Sequence, residues 1–144
     1  MIRLVWAVLC RDILTDRETN SVSYIHAIEE GAATQLPTRI GPVSLGTLWE
    51  MDTQGPEPCI ARAVLSVPSG QEIGLLQTGV LTFTNPRHRL HFRLQGLPMT
   101  AFGRHEIRLE FSQTTPATDT WQRAATLPFS LRRLLPTPKT QQTQ

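Results

Sequence analysis

Four histidines, two cysteines and one short acidic stretch are the residues with which this 144-residue chain could do chemistry. The histidines are His26, His88, His91 and His105. A zinc site wants close ligand pairs. His88 and His91 lie three apart in what reads as a strand, so they point to opposite faces. No H-x-H or H-E-x-x-H occurs. Cys10 and Cys59 form no C-x-x-C and read as reduced, buried, small apolar residues. Asp12, Asp16 and Glu18 cluster in a polar stretch that reads as a solvated loop. A nucleophile needs an adjacent base and an orienting group. No G-x-S-x-G occurs, and the nine glycines stand singly, so no phosphate-cradling loop is present. The residues predict a protein that is not an enzyme, with no catalytic residue, no cofactor and no metal.

One basic cluster stands apart. In RHRLHFRL, residues 87–94, every second residue is basic: Arg87, Arg89, His91 and Arg93. Leu90, Phe92 and Leu94 occupy the other side. This row is either a strip for an acidic partner or the wet face of a strand, and a wet face is the commoner outcome. Its electrostatics depend on topology. A hairpin with residues 104–112 would place Arg93 beside Glu106 and Arg89 beside Glu110. A crossover between sheets leaves the row uncompensated by its sequence neighbour. Aromatic residues for base stacking are missing from the strip, which weighs against a single-strand nucleic-acid site.

The elements that position this strip follow from the rest of the chain. Its length gives one domain, able to bury about two thirds of its unfolded surface. The formal charge is +2, too small to argue for nucleic acid. Residues 1–72 carry five Arg against nine acids, 5 − 9 = −4; residues 73–144 carry eight Arg and one Lys against three acids, 9 − 3 = +6. The N-terminal MIRLVWAVLC has a six-residue apolar run, shorter than a secretory core, with bulky Leu9 before Cys10. It reads as a first buried strand, and the expected compartment is the cytoplasm. No stretch is long enough to span a membrane as a helix.

Alternation and turn residues predict strands at Ile2–Leu9, Val22–Ile28, Val43–Met51, Ile60–Val67, Gly79–Thr84, His88–Gln95, Arg104–Ser112 and Trp121–Leu131. GAATQLPTRIGP reads as a loop, and Pro128 suggests an edge position for the last strand. The core should hold Trp6, Val64, Leu81, Phe92, Leu109 and Phe129. This is the pattern of an antiparallel β-sandwich of seven to eight strands over residues 1–131. Residues 132–144, ending PTPKTQQTQ, read as a mobile tail.

Gly103-Arg104-His105-Glu106-Ile107 resembles the corner of immunoglobulin-like sandwiches, with histidine where that corner carries tyrosine. Together with CRDILTDRETNSVSYIHAIEEG near the start, the chain resembles a bacterial family of small uncharacterised immunoglobulin-like sandwich proteins. Residues 4–28, 59–70 and 90–111 carry the resemblance. It implies the fold, a structural corner at Gly103 and His105, and a crossing between sheets over residues 96–103. It implies no chemistry. The expected function is a non-catalytic interaction or accessory module of a bacterial or phage assembly, with a protein partner. The alternative is a nucleic-acid-contacting protein that uses the arginine row.

Overall fold

The computed structural model describes residues 1–52, 56–113 and 120–135. Twelve strands and no helix are found among them. They are β1 (Ile2–Thr15), β2 (Val22–Ala27), β3 (Glu30–Ala33), β4 (Thr38–Ile40), β5 (Val43–Met51), β6 (Glu57–Ser66), β7 (Glu72–Gln77), β8 (Leu81–Phe83), β9 (Arg87–Leu94), β10 (Leu97–Met99), β11 (Gly103–Ser112) and β12 (Gln122–Arg133). One sheet runs β2-β1-β5-β9. The other runs β3-β12-β11-β6-β7, with β8 also on β6, and β4 and β10 form a small ribbon. All pairings are antiparallel except β3 with β12.

The count exceeds the seven or eight strands predicted from sequence. The extra strands β3, β4, β7 and β10 hold three to six residues each. Segments that short carry no readable period, and most pair with partners far along the chain. GAATQLPTRIGP therefore contains strand, not only loop. β1 also continues to Thr15, so Asp12 lies in a strand. β12 runs to Arg133, past Leu131, because β3 pairs with Ser130–Arg133. Pro128 falls just before that pairing, where β12 has only β11 beside it. Its missing N–H therefore breaks no ladder on the open side. The tail beyond Leu135 lies outside the described residues.

The core lies between the two large sheets. Leu9, Val43 and Leu94 from the first meet Leu65, Ile107, Phe129 and Leu131 from the second. A neighbouring cluster is built on Leu45, Trp49, Phe83, Leu109 and Phe111. Trp49 is fully buried, and its indole Nε1 donates to Thr47 Oγ1 at 2.8 Å. Thr47 Oγ1 donates in turn to Leu90 O at 2.8 Å. This relay satisfies polar groups that would otherwise be orphaned in an apolar site.

Val64, Leu109 and Phe129 are buried as expected. Leu81 and Phe92 are only half-buried, though both pack against the core. Trp6 is misassigned by the alternation and is 37% exposed. The cause is a β-bulge: Leu4 pairs with Trp49 and Trp6 with Leu48, leaving Val5 as an extra residue. One inserted residue reverses the facing of everything after it. Ile2 and Leu4 stay inward, and Trp6 turns to the outer face.

The crossing over residues 96–103 is present. β9 belongs to the first sheet and β11 to the second, so the two are not hairpin partners. His105 is the third residue of β11 and has no exposed surface. Gly103 precedes it at φ +111°, a conformation side chains resist.

Candidate functional site

β9 lies at the edge of its sheet, with β5 on one side. Its alternation survives intact: Arg87, Arg89, His91 and Arg93 are exposed, while His88, Leu90 and Phe92 are half-buried and Leu94 is buried. The structure thus brings all four predicted strip residues into one row on the outer face. Glu106 and Glu110 are remote from that row, since they lie in the other sheet. Glu110 Oε1 instead accepts from Arg62 Nε at 3.0 Å.

The row is nevertheless compensated, by partners the local sequence does not reveal. Arg93 Nη1 donates to Arg11 O at 2.8 Å, Ser44 Oγ at 2.8 Å and Asp12 Oδ1 at 3.2 Å. Arg89 Nη1 donates to Asn20 O at 2.7 Å. His91 Nε2 is 3.1 Å from the Tyr24 hydroxyl. Arg87 lies 3.9 Å from Glu50, and 77% of its side chain is exposed. Arg87 is therefore the least engaged of the three arginines.

Ser44 and Glu50 belong to β5, and the other partners come from the β1–β2 hairpin. β1 pairs with β5 only up to Cys10 opposite Ser44. Beyond that point the hairpin curls over the outer face of β5 and β9. Its turn, with Asn20 at φ 57°, delivers the carbonyl that Arg89 takes. Asp16 Oδ1 braces the same turn by accepting from Glu18 N at 2.9 Å and Thr19 N at 3.3 Å. Tyr24 lays its ring on Gly46, where a Cβ would sit only 2.3 Å from Tyr24 Cε1. The ring packs edge-on against Trp6 at 5.0 Å and His91 at 5.7 Å.

The outer face thus carries aromatic residues beside the arginines, contrary to the expectation from β9 alone. Trp6 reaches it through the bulge and Tyr24 through the curled hairpin. One sequence signal pointed there. A glycine inside a strand, as Gly46 in VSLGTLWEM, marks a bulge or the close approach of another group. Trp6, Tyr24, Val22, Leu48, Arg87 and Arg89 line an open cleft of about 510 Å³ beneath the hairpin.

Electrostatics at this face follow from burial and from Arg89. Burial first, then the Arg89 charge, hold His91 below the ordinary imidazole value. Burial pushes the Tyr24 hydroxyl up, against the pull of Arg89. Cys10, beneath the same face, is raised by burial and then by Asp12. Cys59 is buried elsewhere and pushed up to about 11 by desolvation. A thiol held neutral is a poor nucleophile.

Among the described residues no group of three or more His, Cys, Asp or Glu is placed to hold a metal ion. Asp12, Asp16 and Glu18 do not converge; Asp12 faces Arg93 and Asp16 serves its own turn. His88 stacks on Phe83 at 4.5 Å, while His91 points to the other face. At the corner, His105 Nδ1 bonds Gly103 O at 3.0 Å, and Nε2 has no partner among the described residues. The imidazole bridges two positions of its own strand and does not reach across the crossing.

No helix among the described residues is long and apolar enough to cross a membrane. No family model and no curated protein matches the chain. Solved structures that resemble it include two with distant sequences. The N-terminal domain of PorA aligns at 12% identity and a TM-score of 0.34, over 89% of this chain and 97% of that one. The alkylpurine DNA glycosylase AlkC of Pseudomonas fluorescens, solved bound to DNA containing an abasic site analog, aligns at 10% identity and a TM-score of 0.51. That match covers 91% of this chain but only 30% of the glycosylase, so this chain shares a fold with a segment of that larger protein.

Proposed function

We propose that this chain is a non-catalytic protein-interaction module, an immunoglobulin-like sandwich of the small family it resembles, that binds its partner through the outer face of β2-β1-β5-β9. One observation carries this reading. Trp6, at 37% exposed, is held by Tyr24 on the same face as the arginine row. An ordered, exposed aromatic beside arginine is the composition of interface hot spots. The absence of catalytic groupings in the sequence agrees with it.

A nucleic-acid reading is second, and it gains from the same aromatics. Stacking side chains beside cations suit single strands, and the glycosylase that shares the fold was solved on DNA. The hydrogen bonds favour protein. Phosphate binding neutralises several charges at once, whereas Arg93 and Arg89 are already spent on the chain's own acceptors.

Affinity capture from the native host, with and without nuclease, separates the two readings. The parent should retain a protein partner after nuclease treatment. The double variant Trp6→Ala, Arg87→Glu should lose it while keeping the parent's circular dichroism. A partner that disappears with nuclease moves the assignment to nucleic acid. A partner retained by the double variant moves it off this face.

A further inference from the structure

β9 is an edge strand eight residues long. An edge strand presents unpaired N–H and C=O groups to any chain that can add to the sheet. Which groups face outward follows from one side chain. Thr47 Oγ1 donates to Leu90 O, so the backbone of Leu90 turns toward β5. Strand alternation then turns the N–H and C=O of Arg89, His91 and Arg93 away from β5. Among the described residues no strand pairs with that side.

The flanking side chains select what could add there. On the outer face an incoming strand would meet Arg87, Arg89, His91 and Arg93. On the inner face it would meet Leu90 and Phe92, which pack on the core yet remain half-buried, so the margin of the sandwich is open at β9. A second copy of β9 is a poor occupant, because it would set arginine against arginine or histidine, and like charges placed opposite each other are destabilising.

We infer that β9 is a strand-addition site for an extended segment of a partner protein that alternates acidic with apolar residues. Its carboxylates would lie on the outer face, where Arg87 is the arginine left to meet them, and its apolar side chains would cover Leu90 and Phe92. Backbone hydrogen bonds would supply affinity, and the alternate side chains specificity. This deepens the interaction reading above and rests on it.

The probe is an eight-residue peptide, the length of β9, alternating glutamate with valine and leucine and capped at both ends. Three comparison probes accompany it: a peptide with lysine in place of glutamate, a peptide with methyl groups on alternate backbone nitrogens, and a short single-stranded DNA of equal charge. The acidic peptide should bind, and the amides of Arg89, His91 and Arg93 should gain hydrogen-exchange protection. The lysine peptide should not bind, N-methylation should weaken binding about tenfold or more, and Arg87→Glu should weaken it severalfold. Equal binding of the methylated peptide overturns strand addition while leaving the interaction face standing. So does failure of the acidic peptide when the nuclease-resistant partner is still captured. Protection of the three amides without peptide, in a protein that sediments as a dimer, makes a second copy the occupant and overturns it. Tighter binding of the DNA overturns both readings.

Discussion

Gly46→Ala tests how the hairpin is seated on the sheet. Gly46 has no left-handed φ, so its backbone does not demand glycine; the demand is for space. A Cβ there lies 2.3 Å from Tyr24 Cε1 and 2.9 Å from Cδ1. Moving from 2.3 Å to the 3.4 Å where ordinary contact begins requires the ring to retreat by about 1.1 Å. The ring cannot retreat freely, because Trp6 and His91 pack against its edges and its hydroxyl meets His91. Forcing an extra methyl into such a site costs about 1–3 kcal/mol. Alanine returns about 0.5–1 kcal/mol through the smaller chain entropy of the unfolded state. The expected net loss is about 1–2 kcal/mol. Urea titration followed by circular dichroism measures it. The decisive comparison is a double-mutant cycle with Tyr24→Ala. Without the ring the methyl has room, so Gly46→Ala should become neutral or mildly stabilising in that background. An equal loss in both backgrounds would show that something other than Tyr24 occupies the space, and the seating of the hairpin would be wrong.

Two further outcomes follow from burial and charge. Phe83→Ala should cost about 3–5 kcal/mol because Phe83 is fully enclosed, while half-buried Phe92→Ala should cost less, about 1.5–3 kcal/mol; equal values in denaturant titrations would contradict the open margin at β9. The His91 value is lowered from 6.5 by burial and then by Arg89, so on acidification the unfolded chain takes up this proton first; His91's contribution is fully present above 6.5 and lost as pH falls below it, and His91→Gln should flatten that decline between unfolding measurements at about pH 7.5 and 5.5.

The sequence was legible wherever one strand carried its own signal. Ile107, Leu109 and Phe111 alternate cleanly, and all three lie in the core. The basic row of β9 was equally plain, as was the crossing announced by Gly103 and His105. What stayed hidden depended on partners distant in the chain. Val5 looks like any other apolar residue of MIRLVWAVLC, and only the pairing with β5 makes it the extra residue that turns Trp6 outward. Glu30–Ala33 becomes a strand because Ser130–Arg133 lies beside it. The arginine row was recognisable as charge but not as clasp, since Asn20, Arg11 and Asp12 lie 69 to 82 positions away.

The parallel pairing of β3 with β12 also bears on how the chain assembles. Ser130 faces Glu30, one hundred positions earlier, and Leu134 N reaches Ala33 O at 2.9 Å. Every other long strand of the second sheet lies in the intervening chain. Closing a segment of that span gains only four residues of ladder, so the closure is favourable only once the intervening strands have narrowed the search. The β3–β12 pairing therefore belongs to the last stage of folding. Contacts absent from the folding barrier govern the rate of opening and leave the rate of closing nearly untouched. Changes at Gly31 would then register as the native protein's lifetime, read from unfolding kinetics, more than as its speed of formation.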